Sequence, residues 1–149
     1  MLASLKGKNV FLTGATGGIG RELAFQFARS GCNLFLTGRE RERLSDLADN
    51  ILSEDNQVTV SYQAGDLENS QDVLSLVDGV SHSLGDIDIL VNCAGSFIVK
   101  SLFESSLDDF DKSFNVNVRA PFVFSREFAK SMSKAGWGRI INIGSSSSY

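Results

Sequence analysis

The chain alternates short apolar runs with longer stretches in which apolar residues recur every three or four places. Val10-Phe11-Leu12 is wholly apolar, as a strand covered on both faces should be. Ile19, Leu23 and Phe27 then recur at four-residue spacing with Ala24 and Ala28 beside them, which predicts one face of a helix. Gly31 stops that helix, and Asn33-Leu34-Phe35-Leu36-Thr37 reads as the next strand. The spacing predicts a helix over 41–52 with Leu44, Leu47, Ala48 and Ile51 inward, a strand over 58–62, and a helix over 69–84 carrying Val73, Leu76, Val77 and Val80 on one side. Ile87 to Val91 reads as a fourth strand and Arg139 to Ile143 as a fifth. Between them a long helical region covers 107–135, opened by the capping-box pattern Ser106-x-x-Asp109. Phe110, Phe114, Asn117, Pro121, Phe124 and Phe128 share one stripe of it.

Such regular alternation predicts an α/β fold, a doubly wound parallel sheet with right-handed crossovers and helices on both faces, ending after its fifth strand. In open sheets of this kind ligands bind beyond the carboxyl ends of the strands, so the residues after each strand are those to read for chemistry. No internal repeat or linker divides residues 1–149, which read as one domain.

With 42% hydrophobic and 21% charged residues the composition is that of a globular chain, and a formal charge of -4 argues against a nucleic-acid face. Arg39, Arg41 and Arg43 alternate with Glu40 and Glu42, a pattern of surface self-pairing. No apolar run reaches the length of a membrane span and the N-terminus lacks a signal-peptide core, so no membrane partner and a cytoplasmic location are expected. Cys32 and Cys93 form no C-x-x-C pair and His82 stands alone, which leaves no expected metal site. His82 falls in a polar helical stretch and reads as a surface residue.

The candidate chemistry starts at Thr13-Gly14-Ala15-Thr16-Gly17-Gly18-Ile19-Gly20, where the first strand gives way to a helix. Glycines there let the backbone turn with φ > 0 and let a diphosphate approach, while the helix N-terminus attracts the anion. The G-x-G-x-x-G spacing is absent, and such a turn could also be a plain tight connection. The segment resembles the T-G-x-x-x-G-x-G turn of short-chain dehydrogenases/reductases, and it also satisfies the T-G-x-x-G-x-x-G of their extended branch. Asn92-Cys93-Ala94-Gly95 resembles the N-N-A-G motif of the same family, with Cys93 in the place of its second Asn. Asp66-Leu67, alone an ordinary polar turn, stands where the family has an Asp that contacts adenine, with Leu67 contributing a backbone group.

The resemblance covers essentially the whole chain and favours the non-extended branch, with a Rossmann-like fold. It implies that Thr13, Gly14, Thr16, Gly18, Ile19, Gly20, Arg39, Asp66, Leu67, Asn92, Ala94 and Gly95 bind a nicotinamide dinucleotide. At the end of the second strand an NAD enzyme places an acidic residue, whereas an Arg accommodates the 2′-phosphate of NADP. Here Gly38 occupies the acidic position and Arg39 follows, which favours NADP and leaves NAD as the alternative. Arg39 can equally be a helix-entry surface charge.

Asn117 corresponds to the family's catalytic Asn, whose carbonyl holds a water in the proton relay, and Ser145 to the Ser that hydrogen-bonds the substrate oxygen, with Ser146 next. Pro121 can offer no N–H to the Asn117 carbonyl, which predicts a kink. On the residues alone, a Pro-kinked core helix with one bonded Asn and a flexible serine turn serve as well. The family's Tyr-x-x-x-Lys pair is not found, and Tyr149 lies too close to Ser145 to supply it. The resemblance therefore implies an NAD(P)(H)-dependent oxidoreductase acting on a small carbonyl or alcohol, present as its cofactor-binding part and inactive alone. Its full-length form is expected to be a homo-oligomer through the phenylalanine-rich helix. The alternative is a non-catalytic nucleotide-binding module.

Overall fold

A computed structural model describes residues 4–54 and 57–145. Five strands, β1 (Asn9–Thr13), β2 (Asn33–Gly38), β3 (Val60–Ala64), β4 (Ile89–Asn92) and β5 (Arg139–Asn142), form one parallel sheet in the order β3-β2-β1-β4-β5. Between them lie α1 (Gly18–Arg29), α2 (Arg41–Glu54), α3 (Ser70–Leu84), α4 (Leu107–Phe114), a π turn (Asn115–Arg119) and α5 (Ala120–Ala135). Successive side chains of a strand point to opposite faces. Val10, Leu12, Leu34 and Leu36 accordingly join α1 and α2 in one buried cluster, while Phe11, Phe35 and Leu90 join α3 and α5 in another. Phe11 packs edge-on against Phe35, Phe124 and Phe128 at centroid distances of 5.0 to 5.7 Å. The strand order reverses between β1 and β4, and the two halves diverge there.

Helix entry follows local chemistry at α3 and α4. The Asn69 side chain accepts from the N–H groups of Gln71 and Asp72, and Ser106 with Asp109 forms the expected capping box. His82 lies exposed on α3.

Four expectations are corrected. The inner line of α1 is Gly20, Ala24 and Ala28, whereas Ile19 is 61% exposed. Small residues there let the helix axis approach the sheet, and the bulkier Leu23 and Phe27 lie on the flank, half-buried. The third strand begins at Val60 rather than at 58, because pairing of Leu34 with Val60 sets its register, and the fourth begins at Ile89 rather than 87. The long helix is not one α-helix: five residues wind as a π turn just before Pro121, and the Ala120 N–H reaches the Asn115 carbonyl. The phenylalanine stripe consequently divides. Phe124 and Phe128 are buried, but α4 makes no extensive contact with any strand, buries no residue and leaves Phe110 and Phe114 exposed.

Among the described residues, no helix is long and apolar enough to cross a membrane, and no three His, Cys, Asp or Glu side chains group as for a metal.

Candidate dinucleotide site

The turn after β1 is built around Gly14, whose φ of +66° suits glycine. A Cβ on Gly20 would overlap the Gly14 carbonyl, so the third glycine lets α1 start directly against the turn. Gly18 faces open space. Gly17 is the N-cap of α1 and, having no side chain, caps nothing; no acidic residue occupies the first turn. The entrance of α1 thus keeps amide donors and the positive end of its dipole for an anion, unlike the self-capped α3 and α4.

Thr13 joins this turn to the end of β4. Its hydroxyl is buried, accepts from the N–H groups of Cys93 and Ala94 at 3.1 Å each, and donates to the Val91 carbonyl at 3.5 Å. Asn92 plays the same part toward β5, its Nδ2 donating to Asn142 Oδ1 at 2.8 Å. Its own Oδ1 is buried without a partner among the described residues.

A cleft of about 510 Å³ opens along the carboxyl ends of β2, β1 and β4. It gathers Gly14, Thr16, Arg39, Asp66, Leu67, Ala94 and Gly95 from four separate loops. Thr13, Gly18, Ile19, Gly20 and Asn92 do not line it; Thr13, Gly20 and Asn92 are buried beneath it, and Ile19 is exposed at the start of α1. A Cβ on Gly38 would come 3.1 Å from Thr16 Oγ1, a tight contact. Asp66 shapes its own loop, accepting from the Glu68 N–H at 3.0 Å, and Leu67 turns its side chain into the core. Arg39 makes no hydrogen bond or ion pair among the described residues, so its guanidinium is uncommitted at the cleft wall. Burial raises the Cys93 thiol above its ordinary pKa, which makes it a poor nucleophile at neutral pH.

Asn117 lies on the π turn, and both ends of its amide are engaged. Nδ2 donates to the Ser96 carbonyl at 2.8 Å and Oδ1 accepts from the Ser96 N–H at 2.9 Å. This clamp fixes the loop that follows Gly95. Ser145 is exposed three residues beyond β5. Ser146 and Tyr149 lie outside the described residues.

The cleft also contains residues the sequence analysis left on the surface or passed over: Glu40, Arg43, Gly65, Glu68, Ser96, Phe97 and Val116. Arg43 pairs with Glu40 at 3.1 Å, as the charge pattern predicts, but also reaches the Thr16 carbonyl at 3.0 Å. Glu40 and Arg43 follow the end of β2 by two and five residues, and that position was the available signal.

The sequence profile described as short chain dehydrogenase matches residues 8–149. An uncharacterized oxidoreductase of Staphylococcus saprophyticus is 31% identical over 99% of this chain and 63% of its own length. A blue fluorescent protein from a metagenomic library, solved in complex with NADPH, superposes with a TM-score of 0.85 at 34% identity, over 97% of this chain and 58% of that one. L-Sorbose reductase from Gluconobacter frateurii, solved with NADPH and L-sorbose, gives a TM-score of 0.89 at 30% identity, over 95% of this chain and 54% of that one. The chain thus spans between about half and two-thirds of the length of the proteins it matches.

Proposed function

Because the chain belongs to the short chain dehydrogenase family, we propose that residues 1–149 form the dinucleotide-binding part of an oxidoreductase that moves a hydride between a nicotinamide cofactor and a carbonyl or alcohol. The observation that carries this reading is one cleft in which an uncapped helix entrance, the Gly14 turn and the uncommitted Arg39 converge at the sheet's switch point.

The residues fit the cofactor. Gly18, with open space where a side chain would stand, leaves room for the diphosphate at the α1 entrance. Arg39 offers a planar guanidinium to a 2′-phosphate, which favours NADP(H) over NAD(H). Asp66 and the Leu67 backbone border the adenine end, and Ala94 and Gly95 leave room for the ribose. Thr13, Gly20 and Asn92 hold these loops in place from beneath.

When bound, the nicotinamide supplies or receives the hydride. Ser145 donates a hydrogen bond to the substrate oxygen. Asn117 fixes Ser96 through its side chain, and its own carbonyl, lacking an N–H from Pro121, accepts from a water. No Tyr within these residues is followed four places later by Lys, so they alone deliver no tuned proton donor and turn over no substrate. The exposed line Phe110, Phe114, Val118 and Phe122 supports self-association of the whole protein.

Fluorescence titration of the chain with NADPH and NADH tests the reading. Saturable binding of NADPH, tighter than NADH, is expected. Binding of neither dinucleotide would sink it.

A further inference from the structure

The cleft wall at the start of α2 holds a carboxylate as well as two guanidinium groups. Arg39 and Glu40 precede the helix, Arg43 lies in its first turn, and all three line the cleft. A bare carboxylate there would oppose the 2′-phosphate that distinguishes NADPH from NADH, since like charges repel across several ångströms even in water. Glu40 is not bare. One Arg43 amino group donates to Glu40 Oε1 at 3.1 Å, and the other donates to the Thr16 carbonyl at 3.0 Å. A single guanidinium therefore offsets the Glu40 charge and ties the first turn of α2 to the Gly14 turn. The next residue, Leu44, is fully buried, which anchors the backbone from which Arg43 reaches out. Its planar fork holds the two amino groups in a fixed geometry, one toward each acceptor.

Resting on the reading of this cleft as a nicotinamide-dinucleotide site, we infer that Arg43 is a positioning residue for cofactor specificity. Paired with Arg43, Glu40 tolerates a 2′-phosphate beside Arg39. Unpaired, Glu40 turns the same cleft toward the unphosphorylated ribose, whose 2′-hydroxyl a carboxylate can accept.

Binding measurements on the chain and three variants test this, using fluorescence titration with NADPH and NADH in low salt. Arg43→Leu should lower the ratio of NADPH to NADH affinity about fivefold, the size expected for one exposed carboxylate near a dianion in water. Glu40→Gln should raise that ratio by roughly the same factor. The double variant, Arg43→Leu with Glu40→Gln, should return to near the unsubstituted ratio. A purely structural Arg43 would weaken both dinucleotides equally and would not be rescued by Glu40→Gln, and that result overturns the proposal. So does an unchanged ratio in Arg43→Leu when the unsubstituted chain prefers NADPH, a result that leaves the cofactor reading intact. Failure of the unsubstituted chain to bind either dinucleotide removes both.

Discussion

Gly14 lies so close to Ala94 that a Cβ built on it would stand 2.8 Å from the Ala94 Cα and amide nitrogen. The turn after β1 and the turn after β4 are therefore one packed unit, held additionally by the two amides that Thr13 receives. The close approach of the two turns requires a residue without a Cβ at position 14.

Gly14→Ala should accordingly destabilise the chain by roughly 2–4 kcal/mol, combining a left-handed backbone cost of about 1 with overpacking of about 1–3. Gly18→Ala should leave stability unchanged or raise it by about 0.5 kcal/mol, because a helix-entry Ala meets open space. Its NADPH affinity should nonetheless fall. Urea unfolding monitored by circular dichroism, paired with dinucleotide titration, separates the two. Equal stability losses in both variants would show that the turn has no special packing at Gly14.

Arg39 and the dinucleotide preference form a second test. Arg39→Ala should lower NADPH affinity at least tenfold, the loss expected for a charge-assisted contact of about 1.5–3 kcal/mol, and should leave NADH binding within about twofold. Calorimetric titration with each dinucleotide measures it. Parallel losses would place Arg39 outside the 2′-phosphate contact.

The Cys93 thiol is pushed up by burial and is joined to the neighbouring strand by its backbone, so it should behave as packing. Cys93→Ala should cost about 1 kcal/mol of stability and change dinucleotide affinity less than twofold. Alkylation by iodoacetamide should be slow at neutral pH and should still be accelerating at pH values above the ordinary thiol range. Rapid neutral labelling that abolishes binding would assign Cys93 a direct part in the site.

Asp109 accepts from the Lys100 ammonium at 2.7 Å and from the Ser106 N–H and hydroxyl at 2.9 Å each, which lowers its carboxyl to about 2. A depressed carboxylate contributes fully above its unfolded pKa, and that contribution is lost as pH falls through about 2. The α4 cap and its tie to the 97–103 loop should therefore survive mild acid. Carboxyl carbon NMR should place the Asp109 midpoint near 2, and a midpoint near 4 would mean that the three-donor site does not persist in solution.

The strands, most helix entries and the glycine turn were legible along the chain because their causes are local. Apolar runs mark strands buried on both faces, Asn69 and Ser106 cap their helices from adjacent positions, and Gly14 adopts a backbone that other residues resist. Periodicity could not say which line of α1 meets the sheet. Gly20, Ala24 and Ala28 face inward, because helix-to-sheet distance rewards small residues over hydrophobic ones, and no single-helix pattern contains that distance. Nor could periodicity divide the phenylalanines. Phe124 finds Phe11 of β1 beneath it, whereas Phe110 stacks on Phe114 at 5.8 Å and stays exposed. Charge alternation foretold the pairing of Glu40 with Arg43, but the contact of Arg43 with Thr16 spans 27 residues and depends on β1 and β2 lying side by side. Local sequence determined each loop's chemistry and the Gly14 backbone; the sheet order decided which loops pack together and share a cleft, since strand pairing brings distant turns to one edge.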